Sequence, residues 1–206
     1  MYFLELNPVL GRKLMGNHAL FASLAFAVSA GAYFPYVRNI ATGRTRPTLS
    51  SWISWWILDT AILVSIIAAG GMSWQMVAYA GGTCVVLGVC VYKKAALGWT
   101  AADSFCIGMV IGAMLMWYYS SNPQIGMLLC LLAALIGSFP FIRNVRKTPH
   151  AEAILPWIMA AVGSVCQLLS IEQWSFSEIV TPVVWLMVQL PAVWYISQRY
   201  WRTATI

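Results

Sequence analysis

Charge is what this chain has least of. Of its 206 residues only 18 are charged, 12 Lys or Arg and 6 Asp or Glu. Average soluble domains are roughly 25% charged and 45–50% apolar, whereas this chain is 9% charged and 61% apolar. A soluble fold of this size needs polar residues to cover its surface, so a soluble globular enzyme and a disordered chain are both excluded. The net charge of +6 is spread between long apolar segments and forms no basic face, which excludes nucleic acid as a partner. Cys84, Cys90, Cys106, Cys130 and Cys166 fall singly inside apolar segments without ligand spacing, as small hydrophobes of helices do. His18 and His150 lie near opposite membrane surfaces. No histidine pair, metal cluster or Ser/His/acid set therefore shares a depth, and the chain reads as a non-enzyme without cofactor or metal. No Lys falls in the last apolar segment, which excludes a retinal Schiff base.

What is present is one apolar run after another. About 20 apolar residues span a bilayer, and seven runs qualify, at 18–41, 48–70, 72–92, 101–119, 123–145, 151–170 and 175–197. The runs are continuous rather than alternating, which argues against a transmembrane β-barrel. The expected class is an all-α membrane protein of seven transmembrane helices. Arg12, Lys13 and the Val28-Ser29-Ala30 sequence imitate a signal peptide, but 31–41 continues as membrane sequence, so this segment is expected to stay as the first span.

The basic residues orient the spans. Arg38, Arg44, Arg46, Lys93, Lys94, Arg143, Arg146, Lys147, Arg199 and Arg202 fall on one side, and only Arg12 and Lys13 on the other. The positive-inside rule then puts the N-terminus outside and the C-terminus in the cytoplasm. Residues 1–17 become an outer-surface segment and 198–206 a cytoplasmic tail.

The chain also repeats itself. Phe34-Pro35-Tyr36-Val37-Arg38-Asn39-Ile40 matches Phe139-Pro140-Phe141-Ile142-Arg143-Asn144-Val145 at an offset of 105 residues. The same offset carries Leu49 onto Ile154, Trp52 onto Trp157, Ile53 onto Ile158 and Ser65 onto Ser170. A duplication follows, with a first triple-helix bundle at 18–92, a linker helix at 93–122 and a second bundle at 123–197. Three spans are an odd number, so the linker helix restores direction and makes the two halves parallel repeats (3+1+3). Two such bundles build a central passage between them.

This organisation resembles the SWEET and PQ-loop superfamily of small seven-helix transporters. The segment Pro35–Trp56, with Gly43-Arg44-Thr45-Arg46-Pro47 followed by Ser51-Trp52-Ile53-Ser54-Trp55, is similar to the family pattern of helix end, short basic loop and Trp-bearing second helix. It is closest to the bacterial PQ-loop-like membrane proteins, which implies a multi-pass protein of the bacterial inner membrane. Tyr36 and Phe141 stand where the family's naming Gln would be. The family's sugar-binding Asn pair has no counterpart, since the third and seventh segments hold no Asn; a sugar is therefore not the expected solute. Pro47 and Pro156 correspond loosely to the family's further gate prolines.

Asp59 is the most informative residue, lying about 11 residues from either end of its span. A carboxylate at that depth costs roughly 2.5–3.5 kcal/mol on insertion scales and normally faces a cavity or partner. Trp52 and Trp56 lie seven and three residues before it, which predicts one shared helix face. Asp59 could bind a cationic or hydrogen-bonding solute, take up a proton, or make a structural hydrogen bond. Polar stripes run along three other helices: Gln75, Tyr79 and Thr83; Trp157, Ser164 and Gln167; Glu178, Thr181, Trp185 and Gln189. Polar groups in hydrocarbon seek the bundle interior, either to line a pathway or to hydrogen-bond between helices. The expected solute-binding set is Trp52, Trp56, Asp59, Tyr79, Trp157, Ser164, Gln167, Trp185 and Gln189, with Trp52 and Trp157 facing each other across the passage.

Pro35 and Pro140 each remove a helical hydrogen bond and kink their helix, either as hinges of an inner gate or as static bends. The Arg38-Asn39 and Arg143-Asn144 pairs beside them are anchors at helix C-termini or gate latches. Asp103 reads as a helix cap. Gly108 and Gly112 offer a close-packing face suited to a homo-oligomer. The expected function is transport of a small polar or aromatic solute by alternating access, the lone acid among tryptophans pointing to an aromatic, heterocyclic or cationic compound. The alternative is a seven-helix receptor or sorting protein that binds without net transport.

Overall fold

The computed structural model of the chain describes residues 8–68, 70–94, 99–119, 122–172 and 174–203. These form seven α-helices, and no strand occurs among them. They are α1 (Pro8–Ala41), α2 (Leu49–Ala68), α3 (Trp74–Lys93), α4 (Ala101–Tyr119), α5 (Pro123–Lys147), α6 (Ile154–Leu169) and α7 (Phe176–Thr203), with a 3-10 turn at Pro149–Ala151 before α6. Six are long and apolar enough to cross a membrane. The exception is α6, whose 16 residues reach about 24 Å at 1.5 Å per residue. α1 begins ten residues before the first apolar run and α7 continues six beyond the last. Residues 1–7 and 204–206, and the side chains of Arg12, Lys13, Arg199 and Arg202, lie outside the described part.

Local chemistry sets the helix ends. Ser73 caps α3, its hydroxyl accepting from the Met76 N–H at 3.3 Å. Asn122 caps α5 by accepting from the Gln124 N–H at 2.9 Å. At α4 the Asp103 carboxylate reaches back to accept from the Thr100 N–H at 2.7 Å, one half of a capping box with Asp in place of Glu. Gly43 and Gly70 follow α1 and α2 with φ of 72° and 81°, a left-handed turn that glycine adopts without a Cβ penalty.

α1 packs against α6 and α3, while α5 packs against α2, α4 and α7; α2 also meets α3, and α6 meets α7. The closest crossings use small residues. A Cβ on Gly163 would lie 2.2 Å from the Ser29 hydroxyl, and one on Gly137 would lie 2.8 Å from the Ser54 Cβ. α4 touches α5 and α2 and turns Phe105, Ile111, Leu115 and Tyr118 outward. A Cβ on Gly108 or Gly112 would meet nothing within 4 Å, so their small faces are not used inside the chain.

Burial is inverted relative to a soluble domain. Val64, Ile67, Leu132 and Leu190 are exposed, whereas Asp59, Gln75, Ser164 and Gln189 are buried. This is the pattern of a helical bundle solvated by lipid, and the protein fits a multi-pass membrane class. Trp74, Trp174 and Trp194 stand exposed near span ends, as interfacial anchors do. Trp117 is instead half-buried and donates its Nε1–H to Ser65 at 2.7 Å.

Candidate functional site

The site begins on α2. Trp52, Trp55 and Asp59 follow one another at spacings of three and four, so one face carries all three. Each is buried. Trp56 is 40% exposed and leaves this face; Trp55, one residue earlier, occupies the position expected for it.

Around that face the two similar segments build similar aromatic pairs. Tyr36 of α1 lies 4.8 Å from Trp52 with a ring tilt of 37°. At the matching positions Phe141 of α5 lies 4.4 Å from Trp157 with a tilt of 31°. The two tryptophans face each other at 6.4 Å. Trp55 sits against Trp157 at 5.9 Å and Trp185 at 6.1 Å, and Trp185 in turn against Tyr79 at 5.4 Å.

Of these rings Tyr36, Trp52, Trp55, Tyr79, Trp157 and Trp185 line a partly open cavity of about 50 Å³. Trp52, Asp59, Tyr79, Trp157, Trp185 and Gln189 of the expected solute-binding set line it. Asp59 is 1% exposed, and neither carboxylate oxygen has a hydrogen-bond partner among the described residues. No lining residue is Lys, Arg or His.

One end of the cavity is closed by a polar network. Gln75 donates to the Tyr79 hydroxyl and to Ser164, both at 3.0 Å. Ser164 donates to Gln189 Oε1 at 3.0 Å, and Gln189 Nε2 donates to the Tyr79 hydroxyl at 2.8 Å. Ser164 thus belongs to the closure and does not line the cavity. Beyond it, away from the arginine-bearing end, opens a wider cavity of about 560 Å³. Gln167 lines this outer space together with Glu172, Glu178 and Thr181, so it does not join the aromatic cavity. The α7 stripe spans both, with Glu178 and Thr181 in the wide cavity and Trp185 and Gln189 in the aromatic one.

The arginine-bearing end is closed differently. Trp52 donates its Nε1–H to the Tyr36 hydroxyl at 3.2 Å, and that hydroxyl donates to Glu152 Oε1 at 3.0 Å. Glu152 sits in the connection before α6 and is buried. Burial pushes its carboxyl from 4.5 up to about 8, against the opposing pull of its hydrogen bonds. Behind this latch the Arg46 N–H donates to the Ala151 carbonyl at 3.0 Å, tying the two basic connections together.

Neither proline breaks its helix; α1 runs through Pro35 and α5 through Pro140. At Pro140 a side chain repairs the ladder. Ser51 of α2 donates to the Gly137 carbonyl at 2.7 Å and accepts from the Phe141 N–H at 3.2 Å. The position of α6 matching Ser51 is Pro156, which has no hydroxyl to offer Pro35. The arginine pairs diverge as well. Arg143 lies 3.9 Å from Asp103 and donates to Thr100 at 3.2 Å, and Asn144 donates to Thr48 at 3.0 Å. Arg38 is exposed and Asn39 half-buried. Asp103 also accepts from the Ser50 and Thr100 hydroxyls, so it caps α4 and staples it to α2 and α5.

Trp55, Tyr33 and Glu152 escaped the sequence reading. Trp55 lay four residues before Asp59, on the same face as Trp52. Tyr33 lines the cavity one turn before Tyr36. Glu152 carried no periodic signal and fell inside the sixth apolar run read from 151, whereas α6 starts only at Ile154 and leaves it in the connection. Among the described residues no group of three His, Cys, Asp or Glu could hold a metal ion. Comparison with protein-family models, curated proteins and solved structures gave no match to this chain, so the site's chemistry rests on its own geometry.

Proposed function

We propose that this protein is a membrane transporter that moves a small solute by alternating access, with the aromatic cavity as the solute site between two duplicated triple-helix bundles (3+1+3). The observation that carries this reading is a cavity holding a buried acid without a hydrogen-bond partner among the described residues, flanked at both ends by side-chain hydrogen bonds rather than by continuous apolar packing. A static bundle gains nothing from burying Asp59 without a partner; a solute site does.

The duplication is supported by the Tyr36–Trp52 and Phe141–Trp157 pairs and by helix neighbours that exchange when α1, α2, α3 are replaced by α5, α6, α7. The resemblance to SWEET and PQ-loop transporters accords with this arrangement. In the proposed cycle Pro35 hinges the arginine-bearing end while the Ser51 bridge keeps α5 rigid at Pro140. The N-terminus lies outside, so the wide cavity faces outward and the Tyr36–Glu152 latch faces the cytoplasm of a bacterial inner membrane.

The test is uptake of a broad metabolite panel into proteoliposomes. Wild-type protein is expected to move at least one compound, and Trp157→Ala to abolish that flux. A panel without a transported compound removes the reading, and saturable binding without flux turns it into a receptor.

A further inference from the structure

We infer that the aromatic cavity takes a compact organic cation, an alkylammonium of a few heavy atoms, with Asp59 as counter-ion and the rings of Trp52, Trp157 and Trp185 as walls. This rests on the proposal that the cavity is a solute site. It goes further by fixing the charge and size of the solute.

The first argument is charge. Both Asp59 oxygens are buried without a partner among the described residues, and no basic side chain lines the cavity. A carboxylate in that position lacks a counter-charge, which a ligand ammonium supplies. Some of the neighbouring polar groups are already engaged. Thr83 donates to the Tyr79 carbonyl at 2.7 Å, and Gln189 spends both ends of its amide on Tyr79 and Ser164.

The second argument is the walls. An ammonium over an indole face gains about 0.5–2 kcal/mol, more when desolvated. Trp52, Trp157 and Trp185 border the same space as Asp59.

The third argument is independent of the cavity. The wide cavity at the opposite end carries Glu172 and Glu178, and none of its lining residues is Lys, Arg or His. Acids line both spaces, Asp59 in one and Glu172 and Glu178 in the other, and a recess of one sign concentrates ions of the other.

Size sets the last limit. A water needs roughly 10–15 Å³ of such space, and the cavity offers about 50 Å³. That suits a small alkylammonium.

The test is tryptophan fluorescence titration of the purified full-length protein with methylammonium, tetramethylammonium and choline. The control ligand is the neutral analogue of choline in which carbon replaces the ammonium nitrogen. At least one cation is expected to bind saturably, choline to bind at least about tenfold tighter than its neutral analogue, and Asp59→Asn to lose about tenfold in affinity. If Asp59→Asn does not fold, the wild-type comparison of choline with its analogue decides alone. Equal binding of the analogue, or no binding by any of the three cations, overturns the inference. Flux separates the two proposals. Transport of a neutral or anionic solute that cations do not inhibit removes the cation site and leaves the transporter. Cation binding without flux of any solute keeps the site and removes the transporter.

Discussion

Glu152 and Tyr36 form the one titratable contact of the site that lies partly outside the spans. Burial raises the Glu152 carboxyl from 4.5 to about 8. Between those values the folded chain holds a proton that the unfolded chain has released. Stability therefore falls as pH rises from about 4.5 to 8 and is flat above, the full loss being on the order of 5 kcal/mol at about 1.36 kcal/mol per unit. Thermal unfolding of detergent-solubilised protein across that range should show this slope in wild type and lose it in Glu152→Gln; parallel slopes would exclude Glu152 as the source. Glycine supplies a second residue-scale test. A Cβ on Gly163 would lie 2.2 Å from the Ser29 hydroxyl of α1, a short side chain with no far end to swing away. Gly163→Ala should cost about 1–3 kcal/mol by overpacking. Gly108→Ala on the open face of α4 should cost nothing measurable in the same assay.

Helices α1 and α5 carry the same Phe-Pro motif and use it differently. In α5 the Ser51 hydroxyl bridges the Gly137 carbonyl and the Phe141 N–H. Removing it leaves two buried backbone groups to find each other across a proline bend. Ser51→Ala should therefore destabilise the protein by about 1–3 kcal/mol. Thr60→Ala, whose exposed hydroxyl only returns to its own helix at Trp56, should stay within about 0.5 kcal/mol. Equal effects would mean that the bridge does not hold α5. The prolines and their spacing were visible in the sequence. The bridge was not, because it joins residues 86 and 90 positions apart. Trp56 shows the same limit within one helix. The spacing of three to Asp59 allowed a shared face, but the width of that face was set by α5 and α1 packing against Trp52 and Trp55, which turned Trp56 out.

At the scale of the molecule the Lys and Arg residues whose side chains are described gather at one end and the acids of the wide cavity at the other. With the arginine-bearing end in the cytoplasm, a fluorescent protein fused to the C-terminus should glow and a phosphatase fused there should be inactive; the reverse result would invert the outward and inward assignments. The closure between the cavities gives a further expectation. Gln75, Tyr79, Ser164 and Gln189 hold it through side chains from α3, α6 and α7. Ser164→Ala removes a donor and an acceptor from that circuit. Wetting of the aromatic cavity from the wide one should then increase, read as faster quenching of tryptophan fluorescence by a small water-soluble quencher.

The sequence by itself determined the solvent, the helices and the faces they turn inward. Scarce charge demanded lipid, continuous apolar runs demanded helices, and the polar stripes of α3, α6 and α7 had to turn inward because unsatisfied polar groups are costly in hydrocarbon. It also singled out Asp59, since a lone acid at mid-span is costly wherever it points. Only the tertiary structure decided how these faces divide between an aromatic cavity, a closure and a wider cavity. It alone brought Glu152 to Tyr36, made Trp55 rather than Trp56 a wall, and gave Pro140 a bridge that Pro35 lacks. Each of those outcomes depends on which residue of a distant helix lies opposite, and that is fixed by packing distances of a few ångströms, to which periodicity along one chain is blind.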